Sequence, residues 1–249
     1  MRPLKLALKC IALALPFLVA PSAPAQFPDK FTNLKVLPKD ISKAELQSTM
    51  RGFAFALGVR CEHCHVEKPG AKKFDLNFAA DDKEAKKTAR VMLEMVAAIN
   101  RDYIAKVSAT PIHVQCVTCH HGLAEPRTLN SVLAEAIDKK GLDSAMALYH
   151  DLRQKYYGSG QYDFGETTLN QLTESLLAQK KYKEAVAIME MSFDSNHPDS
   201  VWSYHMLATS HEANGQLEKA LADYRKVVEL HPDDDWAKSQ IAAFSKEKQ

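Results

Sequence analysis

Beyond its first 25 residues the chain is patterned almost throughout in helical periods. Leu46, Met50, Phe53, Ala54 and Leu57 recur at three- and four-residue steps. Ser42 with Glu45 three residues on makes a capping box before them, and Gly58 is a natural stop after them. A second apolar face (Thr88, Val91, Met92, Met95, Ala98 and Ile99) follows another capping pair, Asp81 and Glu84, and predicts a helix to about Lys106. Residues 26 to about 40, with Pro28 and Pro38, read as an extended lead-in. Residues 67–80, with Pro69-Gly70, read as a surface loop, and Pro111 breaks the chain again.

After about Thr128 the period changes. Val201 to Pro232 fits the tetratricopeptide pattern of about 34 residues. Tyr204, Leu207, Ala208, His211, Ala220, Tyr224 and Pro232 hold its spaced positions, and Asn214-Gly215 makes the turn between its two helices. One period earlier Leu169, Leu172, Leu176, Ala185 and Met189 follow the same template up to Pro198. Ser131 to Arg153 reads as a third, degenerate unit, with its turn at Lys140-Gly141 and with Ala145 and Tyr149 in register. Tyr156-Tyr157-Gly158-Ser159-Gly160 connects it to the next. Strand-like alternation is scarce, so the sequence predicts an all-α chain.

The first 25 residues follow a different rule. Arg2, Lys5 and Lys9 precede a short apolar run from Cys10 to Ala20, and Ala23-Pro24-Ala25 offers the small residues that a signal peptidase reads. A run of about eleven residues is too short to span a bilayer, which takes about twenty. The segment therefore predicts a removed secretory signal, with a mature protein in the periplasm beginning at Gln26, and no later segment reads as a transmembrane helix. Its loss takes Cys10 and three positive charges, leaving about 29 basic against 31 acidic residues. That balance argues against nucleic-acid binding.

The four remaining cysteines carry the chemistry. Cys61-Glu62-His63-Cys64-His65 and Cys116-Val117-Thr118-Cys119-His120 are two copies of Cys-x-x-Cys-His, the haem c attachment sequence. Two cysteines three apart can each form a thioether to the same porphyrin. The histidine that follows is then held against one ring face, where its imidazole can ligate iron. With histidine at 10 of 249 residues, a chance histidine after both pairs has odds of about 0.2%. The predicted cofactors are two haem c groups, bound through Cys61, Cys64, Cys116 and Cys119, with His65 and His120 as iron ligands.

A saturated iron needs a sixth ligand, commonly a methionine thioether in electron carriers. Met50 lies on the helix before the first motif, eleven residues ahead of Cys61, and is the candidate there. For the second haem, Met92 and Met95 stand one turn apart, so at most one ligates. Met95, nearer the chain break, is preferred, with Met92 as the alternative and His113 behind both. His63 and His121 are expected to face solvent, and His150, His197, His205, His211 and His231 to be structural.

Residues 37 to about 127 resemble the photosynthetic reaction-centre cytochrome c subunit family. The resemblance rests on Leu37-Pro38, the helix holding Met50, and the run from Leu57 through Gly58-Val59-Arg60 to His65. It continues in Thr88 to Met95, Ile99-Asn100, and Val117-Thr118-Cys119-His120 with Gly122. It implies a helix methionine ahead of each motif as sixth ligand for most haems, in keeping with Met50 and one of Met92 or Met95. The reaction-centre subunit carries four haem motifs where this chain has two, and no feature here indicates docking to a reaction centre.

The expected organisation is a signal peptide over 1–25, a dihaem cytochrome c domain over 26–130 and a tetratricopeptide-like helical repeat domain over 131–249. The expected activity is electron transfer, with the repeats docking a redox protein partner. The enzyme alternative, a dihaem peroxidase or reductase, requires one haem with an open sixth site. A zinc alternative would join two Cys-x-x-Cys pairs across 51 residues and leave both histidines unexplained.

Overall fold

A computed structural model of the chain describes residues 28–70, 75–107, 112–195 and 199–247. The signal segment, Pro111 and His197 lie outside the described residues. The elements in order are α1 (Lys43–Leu57), β1 (Val66–Glu67), β2 (Leu76–Asn77), α2 (Glu84–Ala98), α3 (Ala105–Val107) and α4 (Cys116–His120). Seven further helices follow: α5 (Leu129–Lys140), α6 (Leu142–Tyr156), α7 (Glu166–Ala178), α8 (Tyr182–Ser195), α9 (Val201–Ala213), α10 (Leu217–Leu230) and α11 (Asp235–Glu247). Two compact units are present. The first holds residues 28–48 and 60–95, and the second holds 49–59 and everything described from 96 onward, so α1 and α2 each run from one unit into the other.

In the first unit the capping box forms as expected. Ser42 N–H donates to Glu45 at 3.0 Å, and Glu45 N–H donates to the Ser42 hydroxyl at 3.2 Å. The second capping pair does not form in that way. Asp81 turns its carboxylate to cations, accepting from Lys35 Nζ at 2.6 Å and Arg90 Nη2 at 2.7 Å, with Asn33 Nδ2 at 2.9 Å and Lys86 Nζ at 3.3 Å. The carboxylate is taken up by these charge-assisted bonds, and α2 begins three residues later, at Glu84. The expected surface loop over 67–80 contains a short antiparallel pair, Val66 opposite Asn77 and Glu67 opposite Leu76. Two-residue strands show no alternation, which is why the sequence did not reveal them; Leu76 alone of the four is buried.

In the second unit α1 ends in a Schellman turn. Val59 N–H reaches Ala54 O at 3.0 Å and Gly58 N–H reaches Phe55 O at 3.2 Å. The helix expected to reach Lys106 does extend to Val107, but Ile99–Ile104 is wound as a π-helix between α2 and α3. From α5 on, three antiparallel hairpins (α5 with α6, α7 with α8, α9 with α10) stack in sequence order, and α11 closes the array against α10. The second helix of each hairpin carries alanine and a larger residue four on: Ala145 and Tyr149, Ala185 and Met189, Ala220 and Tyr224, all fully buried. The small side chain permits close helix approach while the large one fills the space left beside it. Leu129, Leu133, Leu169, Leu172 and Leu176 complete the core of the first two hairpins.

Candidate functional site

Each Cys-x-x-Cys-His run folds locally into one tight helical turn. After Arg60 in an extended conformation, Cys61–His63 forms a 3₁₀ turn. Cys64 N–H and His65 N–H both bond Cys61 O, at 3.2 and 3.0 Å. The second run is α4 itself. Gln115 N–H donates to Thr118 Oγ1 at 3.0 Å ahead of it, and His121 ends it in the left-handed region at φ 48°. In both turns the two cysteines stand one turn apart, as attachment to one ligand requires. All four thiols are free of disulfides.

The Cys64 thiol is not tuned for exchange. Burial, and then the neighbouring Cys61, push the Cys64 thiol up, against the pull of Lys86 and Lys83. A disulfide-exchange pair instead needs a lowered pKa. Among the described residues no group of three or more His, Cys, Asp or Glu side chains gathers to hold a metal ion.

The two motif histidines are held differently. His120 Nδ1 lies 2.8 Å from Leu123 O. A carbonyl only accepts, so Nδ1 carries the proton and Nε2 keeps its lone pair for a metal. Leu123 N–H in turn donates to His120 O at 2.8 Å, so one residue engages both the backbone and the ring of His120. His65 is half-buried, edge-on to Phe78 with ring centroids 5.0 Å apart. Its Nδ1 is buried without a hydrogen-bond partner. Burial first, then the Lys86 ammonium, pull its pKa down to about 4, opposed in part by the Phe78 backbone. The ring is therefore neutral at physiological pH, the state in which imidazole ligates iron.

Two further contacts place the second motif. Asn100, in the π-helical segment, donates from Nδ2 to Val114 O and accepts from Val114 N–H, both at 2.8 Å. Gly122, two residues past His120, donates its N–H to Ala56 O at 2.8 Å. Neither contact was legible in advance. Asn100 drew notice only as part of the resemblance, and no periodicity ties it to a residue fourteen positions away.

Several large apolar side chains in both units are exposed. In the first unit α2 has no buried residue, and Val91, Met92 and Met95 are 61%, 38% and 44% exposed along it. In the second unit Phe55, Tyr103, Val107 and Ile112 are also exposed. Met50 is half-buried on α1, within the second unit, while Met92 and Met95 lie in the first. His63, His113 and His121 are exposed. Of the repeat-region histidines, His211 is buried with Nδ1 2.7 Å from Asp223, and His205 Nε2 lies 2.7 Å from Asp234.

A family profile described as Photosynthetic reaction centre cytochrome C subunit matches residues 13–184, and one described as Tetratricopeptide repeat matches residues 167–233. The chain is 37% identical over 99 residues to the photosynthetic reaction center cytochrome c subunit of Thermochromatium tepidum, a match covering 39% of this chain and 22% of that protein. It is 32% identical over 115 residues to cytochrome c-554 of Chloroflexus aurantiacus, covering 45% and 25%. With the Rubrivivax gelatinosus reaction-center cytochrome c subunit it shares 35% over 101 residues, covering 40% and 24%. The matched stretch thus spans about a quarter of these relatives' length.

Proposed function

The chain belongs to the photosynthetic reaction-centre cytochrome c subunit family, and from that premise we propose that it is an exported, periplasmic electron carrier holding two covalently attached haem c groups. The observation that carries this reading is the pair of Cys-x-x-Cys-His turns, each with both thiols free and its histidine in or near the ligating state. Cys61 and Cys64 would form the thioethers of one haem, and Cys116 and Cys119 those of the other. His65 and His120 would ligate the irons, with Met50 and Met95, or Met92 as the alternative to Met95, as the further ligands.

When bound, each group supplies a one-electron Fe(III)/Fe(II) couple. The chain's own residues do the rest. Leu123 would orient the His120 imidazole, Asn100 and Gly122 would hold the segments on either side of its motif, and burial would keep His65 unprotonated. A methionine thioether as a further ligand would favour Fe(II) and would leave no open position for a substrate. The stacked hairpins from α5 to α11 supply a surface of the kind that helical repeats use to hold proteins, which suits docking of a redox partner. Among the described residues no helix is long and apolar enough to cross a membrane.

Expression with haem maturation machinery tests the reading. Two haems per chain should survive acid–acetone extraction and stain on denaturing gels, and Cys116→Ala with Cys119→Ala should halve that content. A colourless protein that binds zinc would overturn it.

A further inference from the structure

The first motif has an unassigned relation to the cations of the first unit. Asp81 is ringed by Lys35, Lys86 and Arg90, so three cations share one carboxylate and the group keeps a surplus of two positive charges. Two of the three are shielded from water: the side chains of Lys86 and Arg90 are 12% and 17% exposed, against 57% for Lys35. Charges held out of water are screened far less than exposed ones. Lys86 is also fully engaged. Its Nζ donates to Phe78 O at 2.8 Å and to Ala80 O at 2.7 Å, and faces Asp81 Oδ1 at 3.3 Å. Three acceptors for three N–H groups hold the side chain as an ammonium.

That ammonium is tied to the first Cys-x-x-Cys-His turn. Phe78, whose carbonyl it engages, sets its ring edge-on to the His65 imidazole at 5.0 Å. Leu76 and Asn77, just before Phe78, pair with Glu67 and Val66, just after His65. The short sheet therefore fixes Phe78, and the ammonium on its carbonyl, against the motif. The charge reaches two residues there. Burial first and Lys86 second lower the His65 pKa. At Cys64 burial and then Cys61 push the thiol up, and Lys86 pulls it the other way. An iron centre carries one more positive charge as Fe(III) than as Fe(II), so a fixed cation nearby favours the reduced form.

We propose that Lys86, with Arg90 on the same carboxylate and Asp81 as the counter-charge, sets the reduction potential of the haem attached at Cys61 and Cys64, holding it above the value that the same ligands give without the charge. The inference rests on the dihaem reading above. It gives the Asp81 cluster a part in the redox chemistry besides its part in the fold. Its members carry opposite signs, which makes the two parts separable: Lys86 raises the potential and Asp81 lowers it.

Spectroelectrochemical titration of the full-length, haem-loaded protein tests the assignment. Lys86→Met removes the charge and keeps most of the side chain, and it should lower one of the two midpoint potentials while leaving the other in place. Asp81→Asn removes the counter-charge and should raise that same potential, so it carries the test even if Lys86→Met weakens folding. Lys86→Arg, which keeps the charge, should stay near the wild-type value. Residues that only shaped the fold would move the potential the same way in Lys86→Met and Asp81→Asn, because loosening either side admits water. Both shifts should persist when Cys116 and Cys119 are alanine and only the first haem remains. Two attached haems with potentials unmoved in both variants, shifted in one direction by both, or shifted only at the second haem would overturn the charge assignment alone. A wild-type chain without covalent haem would overturn the dihaem reading instead.

Discussion

Gly58 and Gly122 meet backbone to backbone: a Cβ on Gly58 would lie 2.0 Å from the Gly122 carbonyl oxygen. Gly58 ends the helix that leads to the first Cys-x-x-Cys-His, and Gly122 follows the second. The hydrogen bond from Gly122 N–H to Ala56 O, at 2.8 Å, holds the approach. Gly58 also sits at φ +64°, where only glycine is free of strain. Gly58→Ala should therefore cost about 2–4 kcal/mol, from left-handed strain plus overpacking. Gly70→Ala, at φ +71° but with nothing within 4 Å, should cost about 1–2 kcal/mol. Thermal unfolding of the two variants side by side checks the difference, and equal losses would show that the glycine contact is not tight.

Asn100 is expected to matter as much to the second motif. Asn100→Ala leaves the Val114 N–H and carbonyl without their partners, at a cost of about 1–3 kcal/mol. Haem stoichiometry should drop at the second motif while the first stays loaded. Asn100→Asp keeps the acceptor for Val114 N–H but loses the donor, so its effect should be intermediate. Unfolding curves and haem counts of the three proteins decide it.

Stability should fall on the acid side through Asp81. Arg90 beside it, then Lys35 and Asn33, hold its carboxyl well below the usual carboxylate range. A carboxyl whose folded pKa is depressed stabilises the fold fully above its unfolded value. That contribution is lost as pH falls from about 4 through the lower folded value. Asp81→Asn should be less stable than wild type at neutral pH and show a flatter decline below about pH 4. Parallel slopes in the two proteins would remove Asp81 from the account.

Met50 is the sharpest test of axial ligation. Met50→His should lower one midpoint potential, since thioether favours Fe(II) more than imidazole does. Met50→Ala should reduce the weak sulfur-to-iron absorption at the red end of the oxidised spectrum and open one ferrous haem to carbon monoxide. If that band, both potentials and carbon monoxide binding are all unchanged in Met50→Ala, Met50 is a packing residue. Carbon monoxide binding by the wild-type ferrous protein would instead favour the peroxidase or reductase reading.

Much of the repeat array was legible because its signal is local and redundant. Ala220 and Tyr224 are recognisable from spacing alone, and the same pair of positions recurs as Ala185 with Met189 and Ala145 with Tyr149, all buried. The α1 boundaries were legible for the same reason: Ser42, Glu45 and Gly58 act within a few residues of themselves. Asp81 shows where such reasoning stops. Its local partner was a helix start, but Lys35, from the lead-in, and Arg90, from within α2, bind it instead.

The amino-acid sequence by itself determined the chemistry this protein can hold, because thioether attachment and histidine ligation need only five consecutive residues, and it determined the helical repeats, because their packing positions recur at a fixed interval. Tertiary structure alone decided how the second motif is held. Asn100 reaching Val114, Gly122 meeting Ala56 and Gly58, Leu123 orienting His120, and Gln161 lying against Gly122 are pairings of single polar or glycine backbone groups. Such contacts have no period and no composition. They exist only once the hydrophobic faces have packed and brought distant backbone within the 2.8 to 3.2 Å at which a hydrogen bond forms.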